Sequence, residues 1–140
     1  MTALAAWAEF WQTLTPASIP RVRELCAPDV RFADPFNDLV GVDPLQAMLR
    51  HMFTTLEQPG FVVEDQAMGH DAGYLRWRFS ARLGRHPLVI VGMSEIRFAP
   101  DGKVTLHRDH WDAGAQVYGR VPLLGTAIGM VRRRISLPAS

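Results

Sequence analysis

The length, composition and charge of the chain exclude several classes of protein. Its 140 residues are 48% hydrophobic and 21% charged, a balance typical of one folded domain and not of a disordered chain. A formal net charge of +1 gives no basis for a nucleic-acid partner, and the single cysteine, Cys26, excludes an internal disulfide framework.

The first residues do not have the pattern of a secretory signal. There is no basic n-region, and Glu9 and Gln12 interrupt the apolar run. No apolar run approaches the length of a membrane span. We therefore expect a cytoplasmic protein.

Three helices are predicted in the first part of the chain. Apolar residues at helical spacing predict a helix over residues 3–14, and Ser18 can cap a second helix that runs to about Cys26. Asp43-Pro44 begins the third and strongest helix, which Pro59-Gly60 stops. Its apolar face is formed by Leu45, Met48, Leu49, Met52, Phe53 and Leu56.

The second part of the chain is typical of a strand meander. Four strands are predicted, at residues 61–68, 72–83, 87–98 and 103–112, with a helical tail over 113–140. Helices followed by grouped strands predict an α+β fold in which a curved antiparallel sheet wraps around the N-terminal helices. We expect one domain over 1–140, with a core at 1–112 and the tail packed over a pocket mouth or a subunit interface rather than on a membrane.

A short strand ending at Asp34-Pro35 precedes the loop at residues 36–41. Alternation places Val30, Phe32 and Asp34 on one face, so a core-facing strand would remove hydration from the Asp34 carboxylate. Carboxylates that move protons often occupy such places. The alternative is a surface Asp that opens a turn, since Asp-Pro is common in turns.

The last strand carries the densest group of ionisable side chains. Alternation places His107, Asp109 and Trp111 on one face, so an inward Trp111 brings the other two with it. With Asp34 they would line one pocket, where a His beside carboxylates can be held in one tautomer and move a proton. A polar network at the rim of the sheet is the alternative. Two ligands at i, i+2 with no third do not predict a metal site.

The chain resembles the nuclear transport factor two-like, or ketosteroid isomerase-like, superfamily of cone-shaped α+β barrels. The resemblance covers about Leu4 to Asp112. It depends on the element order, on Ala33-Asp34-Pro35, on Ile96-Arg97-Phe98 before an Asp-Gly turn, and on Trp111. It implies a cofactor-free protein with a hydrophobic pocket.

Resemblance to individual families implies two different bases. Ketosteroid isomerases have their general base in a strand-end Asp-Pro, which implies that Asp34 is the base. The resemblance places their oxyanion-binding tyrosine at Phe10 or Trp11, and their oxyanion-binding aspartate at Ser94. Polyketide cyclases use one acid–base aspartate, which implies Asp109.

Limonene epoxide hydrolase is similar in the last strand. Its Arg-Asp-aromatic-aromatic-Asp run is similar to Arg108-Asp109-His110-Trp111-Asp112, which implies that Asp109 activates a water molecule. That family also needs an arginine and an aspartate at i, i+2 on an earlier strand. The nearest pairs here, Arg76/Arg78 and Arg78/Ser80, lack the aspartate.

Two hypotheses follow. The first is an isomerase, cyclase or hydrolase acting on a small apolar organic molecule, with Asp34, Asp109 and His107 as acid–base groups. The second is a non-catalytic ligand-binding or assembly module. In both, we expect a homodimer with Tyr74, Arg76 and Arg78 on an outward face. The predicted substrate-binding residues are Phe10, Trp11, Phe32, Phe53, Trp77, Phe79, Ser94 and Trp111.

Overall fold

The first helix forms where its cap and its apolar face predict it. The computed structural model of the protein describes residues 1–116. Helix α1 (Ala3–Gln12) is capped by Thr2, whose side chain accepts a hydrogen bond from the Ala5 N–H. It buries one apolar face against strand β3 (Glu57–Met68). The buried residues of the helix are Leu4, Trp7, Ala8, Phe10 and Trp11.

The second predicted helix is broken into two pieces. Residues Pro16–Arg21 form a 3₁₀ helix, and α2 (Val22–Leu25) follows it directly. Thr15, not Ser18, is the cap residue, and the two side chains form a reciprocal capping box. Pro20 lacks an N–H and cannot continue the hydrogen-bonding pattern of an α-helix, which accounts for the tighter turn.

Helix α3 (Val42–Thr55) is the longest helix in residues 1–116. Gly41 occupies the N-cap with φ of +106°, a backbone conformation in which a residue with a side chain would be strained. Asp43, the expected cap residue, lies in the first turn of the helix. The helix ends before the predicted Pro59-Gly60 stop, because β3 already begins at Glu57.

Six strands form one curved, unclosed mixed sheet in the order β2-β1-β6-β5-β4-β3. The remaining strands are β1 (Cys26–Ala33), β2 (Asp38–Val40), β4 (Gly73–Leu83), β5 (His86–Phe98) and β6 (Val104–His110). The prediction of a purely antiparallel sheet is wrong, because β1 runs parallel to β6. Alternation looks the same in both orientations, so it could not reveal this pairing.

Strand β2 lies in the segment that was expected to be a loop. Its three residues pair with β1, and Arg31 of β1 binds the Asp38 carboxylate of β2 through two hydrogen bonds, of 2.9 and 2.8 Å. These hydrogen bonds from Arg31 lower the pKa of Asp38. Such a short strand has too few residues for an alternating pattern to be visible in sequence.

The chain divides into two compact units, Met1–His110 and Trp111–Ser140. The first holds the sheet and α1 to α3. The described part of the second contains α4 (Ala113–Gln116), and the rest of the expected tail lies outside the described residues. The single domain and the helical tail stay predictions. No helix within residues 1–116 is long and apolar enough to cross a membrane.

Candidate functional site

Strand register brings polar residues together on the inner face of the sheet. Ser94 of β5 pairs directly with Asp109 of β6, and His107 of β6 lies between Phe32 of β1 and Ile96 of β5. Both Ser94 and His107 are buried, with 1% and 4% of their surface exposed. Because residues i and i+2 of a strand share a face, His107 and Asp109 project to the same side.

A hydrogen bond from Trp7 fixes the tautomer of His107. The Trp7 indole Nε1 lies 2.9 Å from His107 Nδ1, and both groups are buried. An indole N–H can only donate, so Nδ1 must be the accepting nitrogen and the ring proton is on Nε2. The Phe32 ring stacks on the imidazole at a centroid distance of 5.0 Å and holds its plane.

Two hydrogen bonds converge on one oxygen of Asp109. His107 Nε2 lies 2.6 Å from Oδ1, and the Ser94 hydroxyl donates to the same oxygen at 2.5 Å. Ser94 in turn accepts from the Trp77 indole N–H at 2.8 Å. The short distances are typical of hydrogen bonds to an ionised carboxylate. A continuous chain of donors therefore orients Asp109 from both sides.

The second oxygen of Asp109 is left for another partner. All hydrogen bonds of this side chain to residues 1–116 end on Oδ1, so Oδ2 accepts none from that part of the chain. The Asp109 side chain is 14% exposed and lines a small cavity. Oδ2 is therefore the basic atom that a bound molecule can reach.

The cavity is apolar except for the His107–Asp109 pair. Its lining residues are Trp11, Phe61, Val63, Leu75, Trp77, His107 and Asp109. Its volume is about 20 Å³, which is room for about one water molecule. The cavity opens to solvent at its mouth, so a molecule larger than water would enter it only in part.

One buried polar atom of a cavity-lining residue has no partner within residues 1–116. The Trp11 indole Nε1 is buried and makes no hydrogen bond within residues 1–116. Trp11 itself is 5% exposed, and its ring packs against Phe61 and His107 at centroid distances of 5.0 and 5.2 Å. A buried donor without an acceptor is costly and calls for an explanation.

The structure brings five of the predicted site residues together at this place: Trp11, Trp77, Ser94, His107 and Asp109. Three other predicted residues support them from behind. Phe10 stacks on Trp7 at 5.1 Å, Phe32 stacks on His107, and Phe79 packs on Phe61 at 4.7 Å.

The three remaining predicted residues do not line the cavity either. Phe53 is half-buried on α3, and Trp111 belongs to the second unit. Asp34 follows the end of β1, where its Oδ1 accepts backbone hydrogen bonds from Phe36 and Asn37, both at 2.7 Å. This geometry is that of an Asx turn, and a pocket shared by Asp34 and Asp109 stays a prediction.

Sequence reasoning missed the parts that Trp7 and Phe61 play. Trp7 is one of the apolar residues whose spacing predicts the first helix, but a buried indole also needs an acceptor, and His107 supplies it. Phe61 lies two residues before Val63 on β3, and both line the cavity. Their alternation was a signal for an inward face.

Comparison with known proteins defines the family. A model of the SnoaL-like domain matches residues 6–107. The chain belongs to the SnoaL-like domain family. The match begins within α1 and ends within β6 at His107, two residues before Asp109. No curated protein matches the sequence.

Solved structures with low sequence identity share the fold of this SnoaL-like protein. A protein described as a SnoaL-like polyketide cyclase, from Jannaschia sp. CCS1, is 17% identical with a TM-score of 0.70, over 81% of this chain and 87% of that one. An epoxide hydrolase similar to limonene epoxide hydrolase, from M. tuberculosis, is 16% identical with a TM-score of 0.66, over 95% and 92%. A protein of ketosteroid isomerase-like fold from Catenulispora acidiphila, in complex with trimethylamine, is 14% identical with a TM-score of 0.69, over 84% and 92%. Recognition of the superfamily from sequence is thereby confirmed.

Proposed function

We propose that this SnoaL-like protein is an enzyme of the isomerase, cyclase or hydrolase kind, with Asp109 as its general base. The observation that carries the proposal is the chain of donors from Trp7 and Trp77 that ends on Asp109 Oδ1. It holds the carboxylate in one orientation beside an apolar cavity and leaves Oδ2 open. Substrates in such a cavity would be small and largely apolar.

The step common to these reactions is a proton transfer to Oδ2. With a carbonyl compound, the proton leaves the carbon beside the carbonyl, and the electron pair of the C–H bond moves onto the carbonyl oxygen. Return of the proton to another carbon completes an isomerisation. Attack of the resulting carbanion on a second carbonyl closes a ring, and the new alkoxide oxygen takes the proton back from Asp109. With an epoxide, Oδ2 would take a proton from a water molecule whose oxygen bonds to one ring carbon as the C–O bond of that carbon breaks, and the released alkoxide would then take the proton back. His107 and Ser94 act through Asp109 as positioning residues.

Proton exchange with a simple ketone tests this proposal. Cyclopentanone is incubated with the protein in D₂O, and loss of the protons beside its carbonyl is followed by ¹H NMR; cyclopentene oxide hydrolysis is followed in parallel. We expect wild-type catalysis of one of the two, and a fall of about a hundredfold or more in Asp109→Asn. Asp101→Asn, which removes the same charge from the exposed turn before β6, is the matched control and should retain the wild-type rate.

Each outcome of this experiment decides something. Exchange alone favours the isomerase or cyclase reaction, and hydrolysis alone favours the hydrolase reaction. An unchanged rate in Asp109→Asn would contradict the role of Asp109. Rates equal to those of buffer with both probes would contradict the enzyme proposal.

A second candidate is non-catalytic binding of a small organic molecule. It is favoured by the aromatic rings of Trp11, Phe61 and Trp77 around one carboxylate, an arrangement that suits an alkylammonium ion through cation–π contacts. The Catenulispora structure of the same fold holds trimethylamine. Calorimetric binding of trimethylammonium that disappears in Asp109→Asn, together with no turnover of either probe, would support this candidate.

The homodimer also stays part of the proposal. Exposed apolar side chains lie on the outer face of β3 to β5, including Val62, Val89 and Met93, at 57%, 43% and 51% exposure. Tyr74 is exposed on the same face, as the alternation predicted. Sedimentation velocity of the wild type tests this, and a monomer at all concentrations would remove the dimer from the proposal.

A further inference from the structure

We propose that the carbon that loses its proton at this site is a methyl group beside a carbonyl, as in a methyl ketone. This inference rests on the proposed function and narrows its substrate class from carbonyl compounds in general to those that carry such a methyl group. Asp109 lines a cavity of about 20 Å³, which holds about one water molecule. A methyl group is the carbon group closest in size to water, so it fits this space better than a carbon with a further substituent.

The wall that Trp77 contributes to the cavity is fixed in place. Its indole N–H donates to the hydroxyl of Ser94 at 2.8 Å, and Ser94 is only 1% exposed. The ring lies against Gly92, its partner on β5, where a Cβ would come within 2.8 Å of the ring. The indole therefore has no space in which to move closer to β5, and it cannot widen the cavity in that direction.

Phe61 closes another side of the cavity and is packed among aromatic rings. The centroid of its ring lies 5.0 Å from that of Trp11, 4.7 Å from that of Phe79 and 6.1 Å from that of Trp77. Groups packed in this way resist displacement, because a protein interior has few voids for them to move into. A bound group must therefore fit the cavity as it is, and one methylene more or less in an apolar pocket typically changes the rate about tenfold or more.

Only the methyl end of the substrate has to enter the cavity. Asp109 is 14% exposed, so its carboxylate lies close to the mouth. A methyl proton moves to Oδ2 and the electron pair of the C–H bond moves onto the carbonyl oxygen, which water at the mouth can stabilise; the carbon then takes a proton back from Asp109. The rest of the molecule stays outside, so the site should tolerate different groups on the far side of the carbonyl.

Proton exchange in 2-butanone tests this inference within one molecule. The ketone is incubated with the protein in D₂O, and the loss of its methyl protons at C1 and of its methylene protons at C3 is followed by ¹H NMR. We expect the protein to favour the methyl position over the methylene position about tenfold more than buffer does. Cyclopentanone, whose reacting carbons have a ring neighbour, should exchange faster than in buffer but more slowly than this methyl group. A methyl-to-methylene ratio equal to that in buffer would overturn the inference, and the comparison needs no variant.

A matched pair of valine variants tests whether the cavity wall causes the preference. Val63 lines the cavity, whereas the adjacent Val62 is 57% exposed on the outer face of the sheet. Val63→Ala removes two methyl groups from the wall and should lower the methyl preference by about threefold or more. Val62→Ala makes the same chemical change outside the cavity and should keep the wild-type preference. An unchanged preference in Val63→Ala would contradict the assignment of the size limit to this cavity.

The outcomes separate this inference from the proposed function. Exchange that is lost in Asp109→Asn but shows the same position ratio as buffer would retain the enzyme and reject the methyl preference. Hydrolysis of cyclopentene oxide without exchange of 2-butanone would retain a hydrolase and reject methyl ketones as its substrates. Absence of both reactions would reject the inference together with the enzyme on which it rests.

Discussion

The hydrogen bond between Trp7 and His107 makes a sharp prediction about stability. Both groups are buried, and Nε1 lies 2.9 Å from Nδ1. Trp7→Phe leaves Nδ1 without a donor, and His107→Phe leaves the Trp7 N–H without an acceptor. The double variant leaves neither atom unpaired, because both partners are then apolar rings.

The magnitude follows from the cost of an unpaired buried polar group, about 1–3 kcal/mol each. Trp7→Phe also loses packing volume, so we expect it to lower the free energy of unfolding by about 3 kcal/mol. His107→Phe keeps the stacking on Phe32 but removes a donor from Asp109, and should cost about the same. The double variant should cost about 2 kcal/mol less than the summed costs of the two single variants. The losses at Asp109 and in packing remain in it, but neither His107 Nδ1 nor Trp7 Nε1 is left unpaired.

Urea unfolding followed by far-ultraviolet circular dichroism measures these free energies, with equal slopes as the check on a two-state transition. Fluorescence is avoided because Trp7 is itself replaced. Additive costs, within about 0.5 kcal/mol, would refute the conclusion that Trp7 pairs with His107 and fixes its tautomer.

Three further predictions concern Gly92, Cys26 and Asp34. A Cβ on Gly92 would lie 2.8 Å from the Trp77 ring, so Gly92→Ala should destabilise the fold by about 1–3 kcal/mol in urea unfolding, and an unchanged midpoint would contradict this. Burial raises the pKa of the Cys26 thiol to about 12, against an ordinary 9.0. As the pH rises, the thiol ionises in the unfolded state before it ionises in the folded state. The difference in free energy of unfolding between wild type and Cys26→Ala should therefore be constant below about pH 9, and the wild type should lose stability relative to Cys26→Ala between about pH 9 and 12. A difference that does not depend on pH would contradict the burial of this thiol. If Asp34 only caps its turn, Asp34→Asn keeps the hydrogen-bond acceptor and should turn over cyclopentanone and cyclopentene oxide at the wild-type rate. Asp34→Ala removes the acceptor and should lower the free energy of unfolding by about 1 kcal/mol. Loss of turnover in Asp34→Asn would instead support a catalytic role for Asp34.

Local sequence patterns were sufficient to predict most helices and strands, and to place two members of the polar network, His107 and Asp109, on one strand face. Alternation placed His107 and Asp109 on one strand face. It also placed Tyr74, Arg76 and Arg78 outward, which turns Leu75, Trp77 and Phe79 inward, and all five residues face inward in the structure. These predictions succeeded because a strand with one buried face repeats every two residues. Register between strands is a long-range property, so the pairing of Ser94 with Asp109 was not available from either strand alone.

Asp34 shows where a local alternation pattern ends. Its strand has two buried apolar residues, Val30 and Phe32, at the spacing that predicts an inward Asp34. The strand ends at Ala33, however, and the carboxylate turns back to cap the N–H groups of Phe36 and Asn37. A carboxylate that satisfies two backbone donors is held by its own turn, and alternation does not extend beyond the last paired residue.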